Sequence, residues 1–370
     1  MIITLLSDTH LGFGQGTDMW EDPFLAFEEV IGKGLDSDLI LLAGDMFNTR
    51  TPTPETFART MQALLRLSTP TKTMLSAGLD KKFSPPGIPL VAIHGNHERR
   101  VKGLVNPVQA LEMGGFLTHL HCNGIALENR GEKVAIQGMS SVPEQYAPST
   151  LKQWNPKPIP DCFNILLFHQ NLEGFLHTDN PFPKEALPQG FDLYICGDIH
   201  ESRQATHEGK PLILPGSTVS TQIKKDSAKP RVFVRIDTLS QKIEFIPIRN
   251  QRKIFYEEFE KKEEAEEFIM SVLQESHTLK PIIKIKSPFP LDDIKSRFQG
   301  EAIILASQDR PPSFTIEEQK LSVQQSGQAL LEKNLNKMGL DPKLFVDIFE
   351  LLLNKKQGDA LSLLKSRHKN

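Results

Sequence analysis

The sequence predicts a layered α/β fold, and three observations carry that prediction. Short β-rich runs alternate with helical stretches over residues 1–250. Several of the apolar runs end in a cluster of Asp, Asn and His, at the strand ends where open α/β sheets place their ligands. The composition, 39% hydrophobic and 24% charged, is that of an ordinary globular chain, which excludes a disordered chain, a fibre or a coiled-coil rod.

The elements follow in order. Ile2–Leu6 reads as a strand and Phe24–Lys33 has helical spacing. Asp38–Ala43 is a second apolar strand. Glu55–Leu67 is helical, with Thr53 and Pro54 as cap and first helical position. Pro89–Ile93 is a third strand, and Asn106–Met113 a helix stopped by Gly114 and Gly115. Val134–Gln137, Asn164–Phe168, Asp192–Cys196, Pro211–Leu214 and Arg231–Ile236 complete the strands of the first region. Past residue 250 the composition shifts. Glu257–Glu267 reads as a charged helix, Pro281–Lys286 as a strand, Leu291–Phe298 as a helix and Ala302–Leu305 as a strand, a small α+β module. A Pro-rich linker, Gln308–Pro312, leads to a helical tail. The expected division is 1–250, 251–312 and 313–370.

A chain of 370 residues is long enough for two or three domains. Its 43 basic and 46 acidic side chains leave a net charge of −3, so any nucleic-acid contact must come from local basic patches or a metal centre. The three cysteines, Cys122, Cys162 and Cys196, form no CxxC pair, which argues against a disulfide framework or a thiolate zinc site. No apolar run reaches the ~18 residues of a membrane helix, and no leader is expected ahead of Ser7.

The chemistry lies in the strand-end residues. Asp8 and His10 form D-x-H, Asp45 follows Gly44, Asn96 and His97 sit in G-N-H-E, His169 follows an apolar strand, and Asp198 and His200 form D-x-H again. On an extended segment, residues two apart point the same way, so each D-x-H pair is expected to reach one ion. Oxygen and imidazole donors without thiolate suit manganese, iron or zinc. Two ions sharing a carboxylate lie ~3.5–4 Å apart and serve phosphoester hydrolysis.

The order D-x-H, G-D, G-N-H-[DE], H, G-H-x-H resembles the calcineurin-like metallophosphoesterases. Gly44–Pro54, Pro89–Glu98, Gly138–Ala147 and Leu214–Thr218 narrow the resemblance to the SbcD-like and meiotic-recombination-eleven-type nucleases of double-strand-break repair, archaeal-type, over residues 1–237. The resemblance implies a layered metallophosphoesterase sandwich with a small capping domain and a C-terminal helical tail. It implies two divalent ions, manganese first among the candidates. Asp8, His10 and His200 would hold one, Asn96, His169 and Asp198 the other, and Asp45 would bridge them. His97 would contact the scissile phosphate and give a proton to the leaving oxygen, an acid that such chemistry still needs. The partners it implies are DNA, a second copy of the chain through Glu55–Leu67 and Gly103–Met113, and an SMC-like coiled-coil ATPase gripped by the tail. The apolar stripe Leu344, Phe345, Ile348, Leu351 and Leu352 fits that last role, because two short helices cannot bury it alone. A cytoplasmic, nucleoid-associated protein with no membrane partner follows. Arg99, Arg100 and Lys102, and Lys224, Lys225, Lys229 and Arg231, are the basic candidates for DNA contact, and the insertion Lys72–Gly87 reads as a surface excursion.

Two positions depart from the pattern. Asn48 stands where close relatives often carry a histidine on the phosphate path; it can donate a hydrogen bond but carries no proton. Asp198 replaces the first histidine of G-H-x-H, while seven of the eight usual positions are unchanged. These departures keep two alternatives open: a small-molecule metallophosphodiesterase, and a scaffold subunit with weakened catalysis. A third carboxylate adds one negative charge, worth roughly 4 kcal/mol at ~4 Å and an effective dielectric of about 20, before relaxation. The expectation is tighter binding of the second ion and a less acidic nucleophilic water. Asp198→His is accordingly expected to move the pH–rate profile to lower pH, and an unchanged profile counts against this electrostatic account.

Overall fold

The computed structural model describes residues 1–68, 75–76, 87–101, 103–175 and 180–307. Lys102, most of the Lys72–Gly87 insertion, and the tail with Leu344, Phe345, Ile348, Leu351 and Leu352 lie outside the described residues.

Alternation within the central strands dictates the layering. In β1 (Ile2–Leu6), Ile3 and Leu5 point to one face and Thr4 and Leu6 to the other, and β2 (Leu39–Ala43) and β4 (Leu90–Ile93) repeat the pattern. All three are buried on both faces, as parallel strands between two layers must be. One face joins Ile3, Leu5, Leu41 and Ile93 to Ile125, Ile136, Ile165, Leu167 and Ile195 of a second sheet. The opposite face packs Leu6, Ile40, Leu42 and Leu90 under Phe24, Phe27 and Val30 of α1 (Asp22–Gly34), Leu64 of α2 (Pro54–Leu65) and Leu111 of α3 (Pro107–Met113). A third core covers the far side of the second sheet, where Leu166, Phe168 and Tyr194 meet Leu151 of α4 (Ala147–Trp154). The result is a helix–sheet–sheet–helix sandwich.

The first sheet runs β13-β12-β1-β2-β4-β5, adding β5 (Thr118–His119), β12 (Val232–Asp237) and β13 (Lys242–Pro247). The second runs β10-β11-β9-β8-β7-β6-β3, with β3 (Leu75–Ser76), β6 (Asn123–Asn129), β7 (Glu132–Met139), β8 (Phe163–His169), β9 (Leu193–Gly197), β10 (Arg203–His207) and β11 (Lys210–Leu214). β1, β2 and β4 are mutually parallel, as are β7, β8 and β9. In each sheet, the strands that lead into the polar clusters therefore end on one edge.

Helix starts follow the capping chemistry read from the sequence. The Thr53 hydroxyl accepts from Thr56 N–H ahead of Pro54. Asn106 and Gln109 form a reciprocal capping box on α3. The predicted helix Glu257–Glu267 is corrected. Its first part belongs to β14 (Ile254–Glu258), paired with β15 (Ile282–Lys286), and α5 runs from Lys262 to Leu273. The charged run has helical composition throughout, but pairing of Phe255 and Tyr256 into the sheet overrides propensity. β14, β15 and β16 (Ile303–Ala306) form a parallel sheet with its own core, Ile283, Ile285 and Ile304 under Ile269 of α5 and Ile294 of α6 (Asp292–Phe298). No helix among the described residues is long and apolar enough to cross a membrane.

One buried ion pair ties this module to α1. The Arg252 guanidinium donates to both Asp22 carboxylate oxygens at 2.7 Å, to the Asp18 carbonyl and to the Lys280 carbonyl. Both side chains are largely buried. Removing one partner strands the other charge. Arg252→Met is expected to lower stability by about 3–5 kcal/mol, read as a shift of the urea midpoint; an unmoved midpoint would show that Asp22 finds solvent or another cation.

Candidate metal centre

Five strand-end segments converge between the two sheets. The loop after β1 is laced to the loop after β2 by backbone bonds from Asp8 N–H to Gly44 O and from His10 N–H to Asp45 O, both 3.0 Å. The loop after β4 is held to the same segment by Glu98. This carboxylate is fully buried and accepts from Phe47 N–H at 2.7 Å and Gly95 N–H at 2.8 Å. Burial pushes its pKa up to about 8, and the two backbone donors oppose that. Sequence reasoning gave Glu98 no role beyond its motif; the signal was a carboxylate directly after N-H in a buried strand-end turn.

The D-x-H residues do not lie on extended backbone as expected. Asp8, His10, Asp45 and Asp198 all have positive φ, at 51°, 44°, 50° and 81°. Aspartate tolerates this region better than most residues, and the turns swing the side chains inward from strands whose own side chains face the cores. Gly95 and Gly197 explain the glycines in the motifs. A Cβ on Gly95 would overlap the Asp45 carboxylate, and one on Gly197 would overlap the Ala43 carbonyl and the His169 ring.

All seven expected ligands come together. His10 Nε2 and His200 Nε2 are 3.1 Å apart, and His200 Nε2 is 3.8 Å from Asp8 Oδ1. His169 Nε2 lies 3.7 Å from Asp45 Oδ2 and 3.6 Å from Asp198 Oδ1. His169 Nδ1 donates to the Ala43 carbonyl at 2.7 Å, so Nε2 is the nitrogen that faces the carboxylates. Asn96 donates its amide to Asp198 Oδ1 at 3.0 Å, and its own Oδ1 is buried without a hydrogen-bond partner among the described residues. Donor atoms fall into three groups, each mutually within 4.8 Å: Asp8, His10, His200; His10, Asp45, His97; and Asp8, Asp45, His169.

These residues fit a pair of divalent cations. Asp8 Oδ1, Asn96 Oδ1 and His169 Nε2 are buried without a hydrogen-bond partner among the described residues, a costly state unless something else binds them. His10 Nε2 and His200 Nε2, 3.1 Å apart, are close enough to serve one ion. The electrostatics say the same. Burial raises Asp8 to about 7 and raises Asp45, each worsened by the neighbouring carboxylates. Burial would lower His169, but Asp45, Asp198 and Asp8 raise it well above the usual imidazole range. Burial would raise Asp198, and His169 pulls it below the ordinary carboxylate value. Burial and the adjacent imidazoles depress His10, and burial takes His200 to about 4, leaving both neutral and ready to donate lone pairs. The protein supplies anions and lone pairs here, and His169 is the leading charge that answers them.

The remaining predicted residues sit at the rim. His97 is 43% exposed; its Nδ1 donates to the Asn48 carbonyl at 2.9 Å, and its Nε2 is 4.0 Å from Asp45 Oδ2. Asn48 thus holds His97 through its backbone, a contact any residue at that position supplies. Asn48 and Arg99 line an open cleft beside His97; Arg100 is half-buried, and Lys224 and Lys225 are exposed. Sequence reasoning misses Ser7, has Ser217 only as part of a motif, and has Arg231 only as one of a basic patch. Ser7 Oγ donates to Asp8 Oδ2 at 2.5 Å, Ser217 Oγ to Asp8 O at 2.7 Å, and Arg231 Nη1 to His200 O at 3.0 Å. Lone serines carry no such signal in sequence.

The family model for calcineurin-like phosphoesterases matches residues 1–202. Among curated proteins, the chain is similar to the DNA double-strand break repair protein Mre11 of Methanopyrus kandleri, 29% identical over 49% of this chain and 39% of that one. It is similar to the double-strand break repair protein mus-23 of Neurospora crassa, 25% identical over 68% and 39%. It is similar also to the double-strand break repair protein MRE11 of Mus musculus, 24% identical over 69% and 42%. The chain spans about two fifths of the length of these relatives.

The close approach of Gly95 to Asp45 makes a specific demand. Gly95→Ala is expected to weaken divalent-ion binding by about tenfold or more, as changes behind metal ligands do. Calorimetric titration with manganese measures it, and unchanged affinity in a folded variant would mean that Asp45 does not need its present position.

Proposed function

The chain belongs to the calcineurin-like phosphoesterase family, and from that premise we propose that it is a two-metal-dependent DNA nuclease of double-strand-break repair, an exonuclease on duplex ends and an endonuclease on single strands. The observation that carries the reading is the convergence of five strand-end segments on buried donor atoms, three of which lack a hydrogen-bond partner among the described residues. Similarity to break-repair proteins supports DNA as the substrate.

In this reading Asp8, His10 and His200 hold the first ion, Asn96, His169 and Asp198 the second, and Asp45 bridges them. Manganese heads the candidates, since the donor set lacks thiolate. When bound, the two ions activate a water and neutralise phosphate oxygens. The chain does the rest. His169 is fixed in one tautomer by Ala43, so its Nε2 lone pair is committed to the cluster. Glu98 locks the second and third loops together and so sets the distance between Asp45 and Asn96. His97 has its Nδ1–H committed to Asn48 O, which leaves Nε2 free, 4.0 Å from Asp45 Oδ2. There it carries the second proton of the imidazolium and gives it to the leaving oxygen. Arg99 is suited to a backbone phosphate, for its Nη1 is buried with no partner among the described residues. Arg100, Lys224 and Lys225 add sequence-independent contacts.

The α+β module, residues 251–312, is proposed as a capping domain that guides DNA, and residues 313–370 as the segment that binds an SMC-like ATPase. A homodimer through α2 and α3 is supported by exposed apolar side chains on and before α3: Val101 at 72%, Leu104 at 51% and Met113 at 76%. Asp198 keeps a carboxylate oxygen aimed at His169, which favours an active enzyme over a retired scaffold. The nucleoid is the proposed place of work.

Digestion of end-labelled duplex DNA with manganese tests the reading. His97→Ala is expected to lose cleavage by ~10²–10⁴-fold while both ions stay bound. Wild-type protein that binds two ions yet leaves DNA intact would turn the assignment toward small-molecule phosphodiesters.

A further inference from the structure

Two spaces open on either side of a row of three imidazoles, and they differ in chemistry. His10 stands in the middle, with ring centroids 4.9 Å from His200 and 4.8 Å from His97. On the His97 side lies an open cleft of about 450 Å³, lined by Asn48, Thr49, Arg50, Asn96 and Arg99. Its wall is wholly polar. On the His200 side lies a more enclosed cavity of about 520 Å³, where Phe175, Ile199, Val232 and Phe245 face Lys224 and Arg231.

A phosphate group would fill little of this second cavity and has no use for four apolar side chains. The volume falls within the roughly 300–1,000 Å³ of small-ligand pockets, whose walls mix apolar surface with a few polar groups. A phosphodiester that lies across the imidazole row has one substituent on each side. The substituent that suits aromatic and aliphatic walls with a cationic and hydroxyl rim is a nucleoside: a flat heterocycle with polar edges, attached to a sugar. We propose that the cavity is a nucleoside subsite. It takes the sugar and base of the nucleotide flanking the scissile phosphate, while the remaining backbone leaves over Arg50 and Arg99. This rests on the phosphodiesterase reading above and extends it.

The cavity wall is joined to the site. Arg231 donates from Nη1 to the His200 carbonyl at 3.0 Å and from Nε to Ser220 Oγ at 2.9 Å, and Thr221 Oγ1 is 3.4 Å from His200 Nδ1. An occupant therefore presses on the loop that carries His200. The space suits one nucleoside, not a base pair with its stacked neighbours. The nucleotide beside the scissile phosphate must enter unpaired, so the substrate is a single strand or a frayed end.

Two synthetic esters separate the possibilities. Thymidine 5′-(p-nitrophenyl phosphate) and methyl p-nitrophenyl phosphate share a leaving group and differ in the nucleoside. The nucleoside ester is expected to have a kcat/KM higher by about tenfold or more, through KM. Phe245→Ala, and Gln222→Trp placed on the exposed rim where it fills the cavity without disturbing a core, are each expected to bring that ratio close to one. An equal ratio in all three proteins overturns the subsite and leaves the phosphodiesterase reading standing. If neither ester is hydrolysed, that reading fails, and calorimetry decides the subsite. Thymidine 5′-monophosphate binding tighter than deoxyribose 5-phosphate, with the difference lost in Gln222→Trp, supports it; equal binding overturns it.

Discussion

Asp8, Asp45 and Asp198 are driven into one buried space around His169, and the chain can keep them there only if positive charge is supplied. His169 answers part of the need, which is why it titrates high while Asp8 and Asp45 are pushed toward their neutral forms. Without added cations the carboxylates compete for one imidazolium, and buried like charges repel steeply. The rest of the sandwich makes this arrangement tolerable. Its central strands are buried on both faces by three apolar cores. The four loop residues with positive φ, on the order of 1 kcal/mol each, are held by those cores and by the backbone bonds between loops. The strain is local, and the rigidity that holds it comes from the layers beneath.

The parts of the fold that were legible in sequence are those whose burial is symmetric. β1, β2, β4, β8 and β9 are predominantly apolar, because both faces are covered, and each announces its end with a polar cluster. β10 and β13 were not legible. Arg203–His207 and Lys242–Pro247 are edge strands whose side chains are nearly all exposed or half-buried, so neither carries a long apolar run. Their existence depends on partners β11 and β12, which no local pattern names. β6 begins with Asn123-Gly124, a turn signal, and becomes a strand only because β7 returns against it.

The site was legible in its residue types and not in its geometry. Seven donors arranged after apolar strands identified the cluster. The expectation that D-x-H pairs sit on extended backbone was wrong, since the chain reaches the cluster through left-handed turns that Asp and Gly permit. Asn48 teaches the same point from the other side. Its side chain departs from the familiar pattern, yet the contact that orients His97 is made by its carbonyl, which sequence cannot display. Asp198 is the converse: the changed side chain is itself in the cluster, held by Asn96 and drawn by His169.

The small module is coupled to this chemistry by where its polar ties land. Arg252 grips Asp22 and the Asp18 carbonyl, and Lys280 pairs with Asp18 at 3.4 Å, all at the far end of the loop that begins with His10. Lys284 Nζ donates to the Ile223 carbonyl at 2.7 Å, in the segment that walls the cavity beside His200. The two segments so held flank the 3.1 Å contact between His10 and His200. A shift of the module as a body therefore strains both segments at once, whereas the loops of Asp45, Asn96 and His169 are anchored within the sandwich and feel it only through the cluster. His10 and His200 are in consequence the part of the cluster whose geometry answers to the module, and Asn96, His169 and Asp198 are the part that the sandwich defines.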